Sequence, residues 1–391
     1  MVHTYQNPLL ITSSYLFCIF ALIDPSNDII GLKMPTFFFF IWGLILQGKP
    51  KPISVKIVLL LLLLNIIALG SGIFSGLEFD FDFTKQYFIF FATLLCLAYT
   101  SYVDFFRPLI FASIVLSLFT IFGFIVMSLY PEIENVLYNY MHEEHNDVVL
   151  MSHRTFLGVD FVSFCHKSLL VVTIPASLFY SKFLNEKKHK LQNLFLSVLF
   201  MFALFCGGNR SLLLGVFLIL FILTYQYGKF NYIFKKIIIA IGILGLIIAF
   251  MALSEKGESS NDIKFNHLTS YINYFSDYFY LFFLGSGAGS KFYSLGFGRM
   301  TVLTEWTYLE IIRMYGIVGL ILFLRLILNP IKNYKHKFRN ITYWKPISLG
   351  YIMILIISGS NPYLLNSTGM ICIVFMYSYI YNPKYRMPQM Y

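Results

Sequence analysis

Charge is scarce along this chain of 391 residues: Asp, Glu, Lys and Arg together supply 12%, against 58% hydrophobic and 19% aromatic residues. A soluble core cannot absorb that much apolar surface, so the composition excludes an ordinary water-soluble globular protein and points to a polytopic membrane chain. Cysteine is also rare. The five (Cys18, Cys96, Cys165, Cys206, Cys372) are odd in number, lack Cys-x-x-Cys spacing and lie in or beside apolar segments. That pattern excludes a disulfide framework and a zinc site, and leaves the thiols as small core residues. Missing too is the ordered basic leader, short apolar core and small-residue cleavage site of a signal peptide, so the first span is expected to stay in the mature protein. No separate soluble domain can be delimited. Nor is there a repeat of the transporter kind, because no broken span in one half matches one in the other.

What is present is a series of apolar stretches long enough to cross a bilayer. They fall at roughly 8–23, 30–47, 53–74, 84–101, 108–129, 161–181, 191–207, 211–227, 235–253, 304–328, 346–359 and 363–381. The sequence therefore predicts an all-α polytopic membrane protein of about 12 transmembrane helices, forming one multi-span domain over 1–391. If the N-terminus is cytoplasmic, 18 of the 29 basic residues fall in inside connections and 8 outside, with Lys33, Arg313 and Arg325 within spans. Only Asp104 and Glu186 of the 19 acidic residues fall inside. The positive-inside rule then predicts that both termini are cytoplasmic. Orientation accounts for the net charge of +10, and a nucleic-acid partner is unnecessary. Two long external loops remain, about 130–160 and 254–303, where function is expected to concentrate.

The first loop carries Glu143, Glu144 and Asp147 with His142 and His145. These are possible metal ligands, but no ligand spacing is recognisable and a solvated acidic loop is the plainer reading. Downstream, a span from Asp160 to Ser181 would put His166 and Lys167 in its outer third. Intramembrane ionisable groups are functional candidates by default; the structural alternative is Lys167 snorkelling or paired with Asp160. Between two further apolar runs, Gly207-Gly208-Asn209-Arg210-Ser211 holds a permanent cation in a tight turn. Its guanidinium fork suits a substrate phosphate; a lipid headgroup phosphate is the simpler partner.

In the second loop, Tyr271 to Phe283 reads as a helix lying in the membrane interface. The run Gly285-Ser286-Gly287-Ala288-Gly289 has the composition of an anion-binding turn, though it is no Walker loop. Glu305 lies at the outer end of the tenth span, where a general base facing water would have to be. Glu310 and Arg313, three apart on one helical face, are expected to neutralise each other.

In their order along the chain, GGNRSLLLG, then LGSGAGSKF followed by TEWTYLEIIRMYGIVGL, then SGSNPYLLNSTG, these pieces resemble the Wzy-type O-antigen and capsular repeat-unit polymerases. They resemble the O-antigen ligases more distantly. The resemblance implies a GT-C-like glycosyltransferase of the bacterial inner membrane, acting at the periplasmic face in lipopolysaccharide or capsule biosynthesis. Its substrates would be undecaprenyl-diphosphate-linked oligosaccharides, with membrane lipid, a chain-length regulator and a flippase as neighbours. Arg154 and Arg210, with Lys167 beside them, would hold the donor diphosphate. Glu305 is the first choice for the base and His267 the second. No metal and no cofactor are implied, because guanidinium groups take the charge of the leaving diphosphate. The ligases tend to carry His-Asn where this chain has Glu305-Trp306, which favours polymerase. A ligase, or a lipid-linked oligosaccharide flippase or other transporter, are the alternatives.

Overall fold

The computed structural model describes residues 7–51, 55–141, 148–156, 159–228, 236–237, 239–240, 258–337 and 343–385. The structure is 75% helical. Among the described residues, five helices are long and apolar enough to cross a membrane: Val55–Phe74, Phe81–Tyr99 (its last turns 3₁₀), Phe106–Leu129, Arg210–Tyr227 and Thr307–Lys332. Six shorter apolar helices accompany them, Pro8–Ile23, Lys33–Gln47, Leu169–Asn185, Lys190–Cys206, Trp344–Ser360 and Ser367–Tyr381. The predicted ninth span, 235–253, lies almost wholly outside the described residues, as do the acidic residues 142–147.

These helices are apolar on every side because two kinds of surface need it. In Val55–Phe74, Leu61, Ala68 and Gly72 face the other helices, while Leu59, Leu63 and Ile66 point outward. An isolated amphipathic stripe would serve a water-facing helix; all-round apolarity serves one that meets lipid. Ser367–Tyr381 is enclosed instead, with thirteen of its fifteen residues buried.

The helices run between two ends. At one end Lys384 Nζ donates to Asp104 Oδ2 at 2.5 Å, and Asn382 Nδ2 donates to the Val103 carbonyl. Lys51 lies over the Tyr102 ring, and Lys182 over Tyr343. At the other end sit the segments between helices that the sequence marked as external. They carry structure of their own. A short helix, Pro131–Asn139, precedes an antiparallel hairpin of β1 (Val149–Phe156) and β2 (Val159–His166), in register from Val149 opposite His166 to Phe156 opposite Val159. The second loop folds into a helix, Glu258–Asp277, the short turn of helix Leu281–Leu284, and the small hairpin of β3 (Phe292–Ser294) and β4 (Arg299–Thr301).

The predicted span 161–181 is therefore corrected. Residues up to His166 are strand, and helix begins only with the 3₁₀ turn Leu169–Val172 and continues as Thr173–Asn185. The sequence Val-Asp-Phe-Val-Ser-Phe-Cys-His is rich in β-branched and aromatic residues and has a matching partner in Val149–Phe156, so pairing competes successfully with helix. Asp160 stands seven residues from Lys167, roughly 23 Å of extended chain.

Helix Thr307–Lys337 is broken at Gly316, which has φ +68°. A break frees carbonyls, and inside an apolar bundle each must find a donor. Here the amides of Ser286 and Gly287 donate to the carbonyls of Arg313 and Met314 at 2.8 and 3.0 Å. The glycine run thus serves the helix. A Cβ on Gly287 would stand 2.7 Å from Leu69 Cα, and one on Gly316 2.0 Å from the Phe283 carbonyl. The amides of Gly285, Ser286 and Gly287 are thus taken by carbonyl groups instead of facing an anion, and the loop is wedged against Val55–Phe74.

Candidate functional site

The turn of Arg210 is built as the spacing suggested. Lys190–Cys206 ends at Gly207, Gly208 takes φ +59°, and Asn209 caps the next helix, its Oδ1 accepting from Ser211 N at 3.0 Å and Ser211 Oγ at 2.7 Å. Arg210 is the first residue of that helix and is partly exposed. The positive end of the helix dipole reinforces the side chain's charge there.

The end of β2 lies against this turn. A Cβ on Gly207 would stand 2.5 Å from Leu169 Cδ2, and Tyr363 lies near both Cys165 and Asn209. Two residues past Cys165 is Lys167, partly exposed, its amide donating to the Val148 carbonyl at 3.0 Å. The flanking residues hold it. His166 Nδ1 accepts from Ser168 N at 3.0 Å, which leaves Nε2–H to donate to the Ile23 carbonyl at 2.9 Å, and Ser168 Oγ meets Thr368 Oγ1 at 2.9 Å. Burial pushes the His166 imidazole down to about 4, opposed by its bond to Ile23 and aided by the Lys167 charge. His166 is therefore a neutral buried strut that fixes the end of a strand, not a residue of the membrane helix that the sequence predicts there.

Asn361 joins the arginine turn to the segment carrying Glu305. Asn361 Nδ2 reaches Ser211 Oγ at 3.5 Å, and the Asn361 carbonyl accepts from Thr307 Oγ1 at 2.8 Å. Thr307 follows Glu305 by two residues, and the Glu305 charge is felt at Tyr363. The segments that carry Lys167, Arg210 and Glu305 thus all adjoin residues 358–368, at one end of the bundle. Arg154 is not placed with them by its backbone. It pairs with Phe161, roughly 13 Å of extended chain from Cys165.

The two base candidates share one neighbourhood. Glu305 forms an ion pair with Lys264 at 3.3 Å, its side chain 37% exposed. His267, one helical turn beyond Lys264, is fully buried; its Nδ1 meets Ser294 Oγ at 2.8 Å and its Nε2 has no partner among the described residues. Burial lowers the His267 pKa, while Glu305 and Glu310 pull it up and Lys264 pushes it down. Of the two, only Glu305 is in contact with solvent, so it alone is open to an acceptor hydroxyl in this arrangement.

Beneath them lies the Glu310–Arg313 pair, as expected from its spacing. Glu310 Oε1 accepts from Tyr271 Oη and from Thr304 N, both at 2.6 Å. The pair ties Glu258–Asp277, the glycine loop and residues 302–304 into one support for Glu305.

The sequence motif at residues 358–369 suggests no role for itself beyond the resemblance. The available signal was composition: Ser-Gly-Ser-Asn-Pro interrupts two apolar runs with groups that do not belong in hydrocarbon. Comparison with protein-family models, with curated proteins and with solved structures finds no match.

Proposed function

We propose that the chain is a polysaccharide polymerase of the bacterial inner membrane, with about 12 spans, a GT-C-like fold and both termini cytoplasmic. It joins undecaprenyl-diphosphate-linked oligosaccharide repeat units at the periplasmic face. The observation that carries this reading is the gathering of the segments of Lys167, Arg210 and Glu305 at one end of the bundle, through Tyr363 and Asn361. Two cations and a solvent-reachable carboxylate, carried on segments that adjoin residues 358–368, suit transfer of a sugar from a diphosphate leaving group to a hydroxyl.

The chemistry follows from the charges. The acceptor hydroxyl oxygen attacks the anomeric carbon of the donor as its proton passes to Glu305. The anomeric C–O bond breaks on the opposite face, and its electron pair leaves on the diphosphate, inverting the configuration. Arg210 and Lys167 meet the charge that grows there.

Deletion of the gene provides the test. The surface polysaccharide of the deletion strain is expected to carry a single repeat unit in place of a ladder, restored by the wild-type chain. Accumulation of long lipid-linked polymer would instead indicate a ligase. Repeat units stranded on the cytoplasmic leaflet would indicate a transporter.

A further inference from the structure

We infer that Asn361, through its link to Thr307, is a positioning residue that sets the spacing between the Arg210 turn and the Glu305 segment. The inference rests on the polymerase reading for its functional consequence, while its structural content stands separately. Charge development on the donor and proton removal from the acceptor must be served in one geometry, so the distance between cation and base is a quantity the fold has to fix. The two groups belong to different elements. Arg210 opens the helix Arg210–Tyr227, and Glu305 precedes the helix Thr307–Lys337.

Contacts crossing between them run through the segment around Asn361. Asn361 Nδ2 donates to the Ile357 carbonyl at 3.2 Å and to Ser360 Oγ at 3.3 Å, which holds the amide on the end of its own helix. The same amide extends to Ser211 Oγ at 3.5 Å, a long contact. Tyr363, two residues further on, lies near Asn209. On the other side Thr307 Oγ1 donates to the Asn361 carbonyl at 2.8 Å, with Thr307 fully buried. One side of Asn361 therefore holds the cation's turn and the other holds the base's helix.

Thr307→Val tests this with little change of shape, because valine keeps the two branches and removes the donor. Thr307→Ser keeps the donor and serves as the conservative rescue. Spin labels on Leu214→Cys and Met300→Cys report the spacing directly, and the five native cysteines are buried, so labelling selects the introduced thiols. The expected result is a displaced or broadened distance distribution in Thr307→Val, with long-chain polymer falling at least tenfold and up to about 100-fold, and wild-type behaviour of both readouts in Thr307→Ser. An unchanged distribution in Thr307→Val overturns the inference. So does an altered distribution with a wild-type polymer ladder, since the spacing would then not matter to the reaction. Failure of the polymerase reading itself appears elsewhere, as a normal ladder in the deletion strain, and leaves the distance measurement decisive.

Discussion

Arg313 and Glu310 face each other at 2.8 Å with both side chains fully buried, and the guanidinium makes five contacts for its five N–H groups. Two go to Glu310 Oε2, two to the carbonyl and hydroxyl of Ser290, and one to the Val302 carbonyl. Removing one partner leaves the other charged and desolvated. Arg313→Met is expected to lower stability by about 3–5 kcal/mol. The double variant Arg313→Met with Glu310→Leu should recover part of that loss. Thermal unfolding of the detergent-solubilised protein measures both, and a single variant as stable as wild type would refute the pairing.

Two glycines on one helix provide a packing contrast. A Cβ on Gly72 would stand 2.1 Å from the Ser286 carbonyl, whereas one on Gly70 meets nothing within 4 Å. Gly72→Ala is expected to destabilise by about 1–3 kcal/mol through displacement of the loop. Gly70→Ala should be neutral or slightly stabilising, because alanine is the better helix former. Equal melting temperatures for the two variants would contradict the wedged loop.

His166 gives the fold a dependence on acidity. The unfolded chain takes up a proton on this imidazole near pH 6.5, while burial keeps the folded chain from doing so until about pH 4. Between those values the unfolded state binds more protons, so stability falls as the pH drops through this window. The contribution amounts to about 3 kcal/mol and is fully lost below pH 4. In His166→Gln that part of the pH profile should be absent; an unaltered profile would remove His166 as its source.

For the reaction proposed above, Arg210→Ala is expected to lower polymer formation by about 10²–10³-fold at an unchanged protein level in the membrane. Arg210→Lys should recover little, since an ammonium lacks the fork that two phosphate oxygens accept. A wild-type ladder in Arg210→Ala would remove the arginine from the mechanism.

Glu305→Gln keeps the size of the side chain and takes away its basicity. Turnover is expected to fall by about 10²–10⁴-fold with donor affinity nearly unchanged. Kinetics with the strain's own lipid-linked repeat unit separate the two quantities, and full turnover in the variant would assign the proton elsewhere.

The sequence exposed some of this arrangement and hid the rest for physical reasons. Long apolar runs announced helices such as Val55–Phe74, and the spacing of Glu310 and Arg313 announced their pairing, because both are local signals. The strand Val159–His166 was read as membrane helix, since an apolar run of β-branched and aromatic residues looks alike in both until its partner strand is known. Arg210, Lys167 and Glu305 were legible one at a time as charges in unusual places. The gathering of their segments was not legible, because Asn361 lies 150 residues from the hydroxyl it reaches at Ser211, and no local pattern encodes such a contact. The buried state of His267 was hidden likewise: Ser294 and Phe297, which enclose its ring, belong to another element.

The break at Gly316 has a mechanical consequence. The carbonyls of Arg313 and Met314 are satisfied only while residues 286 and 287 stay seated, and stripping them in apolar surroundings costs several kcal/mol each. The glycine loop therefore has no cheap way to lift off by itself. Any opening of the cap formed by residues 258–306 must carry the outer half of the helix with it. A push on the outer surface is delivered into the bundle, and cap and helix melt as one cooperative unit.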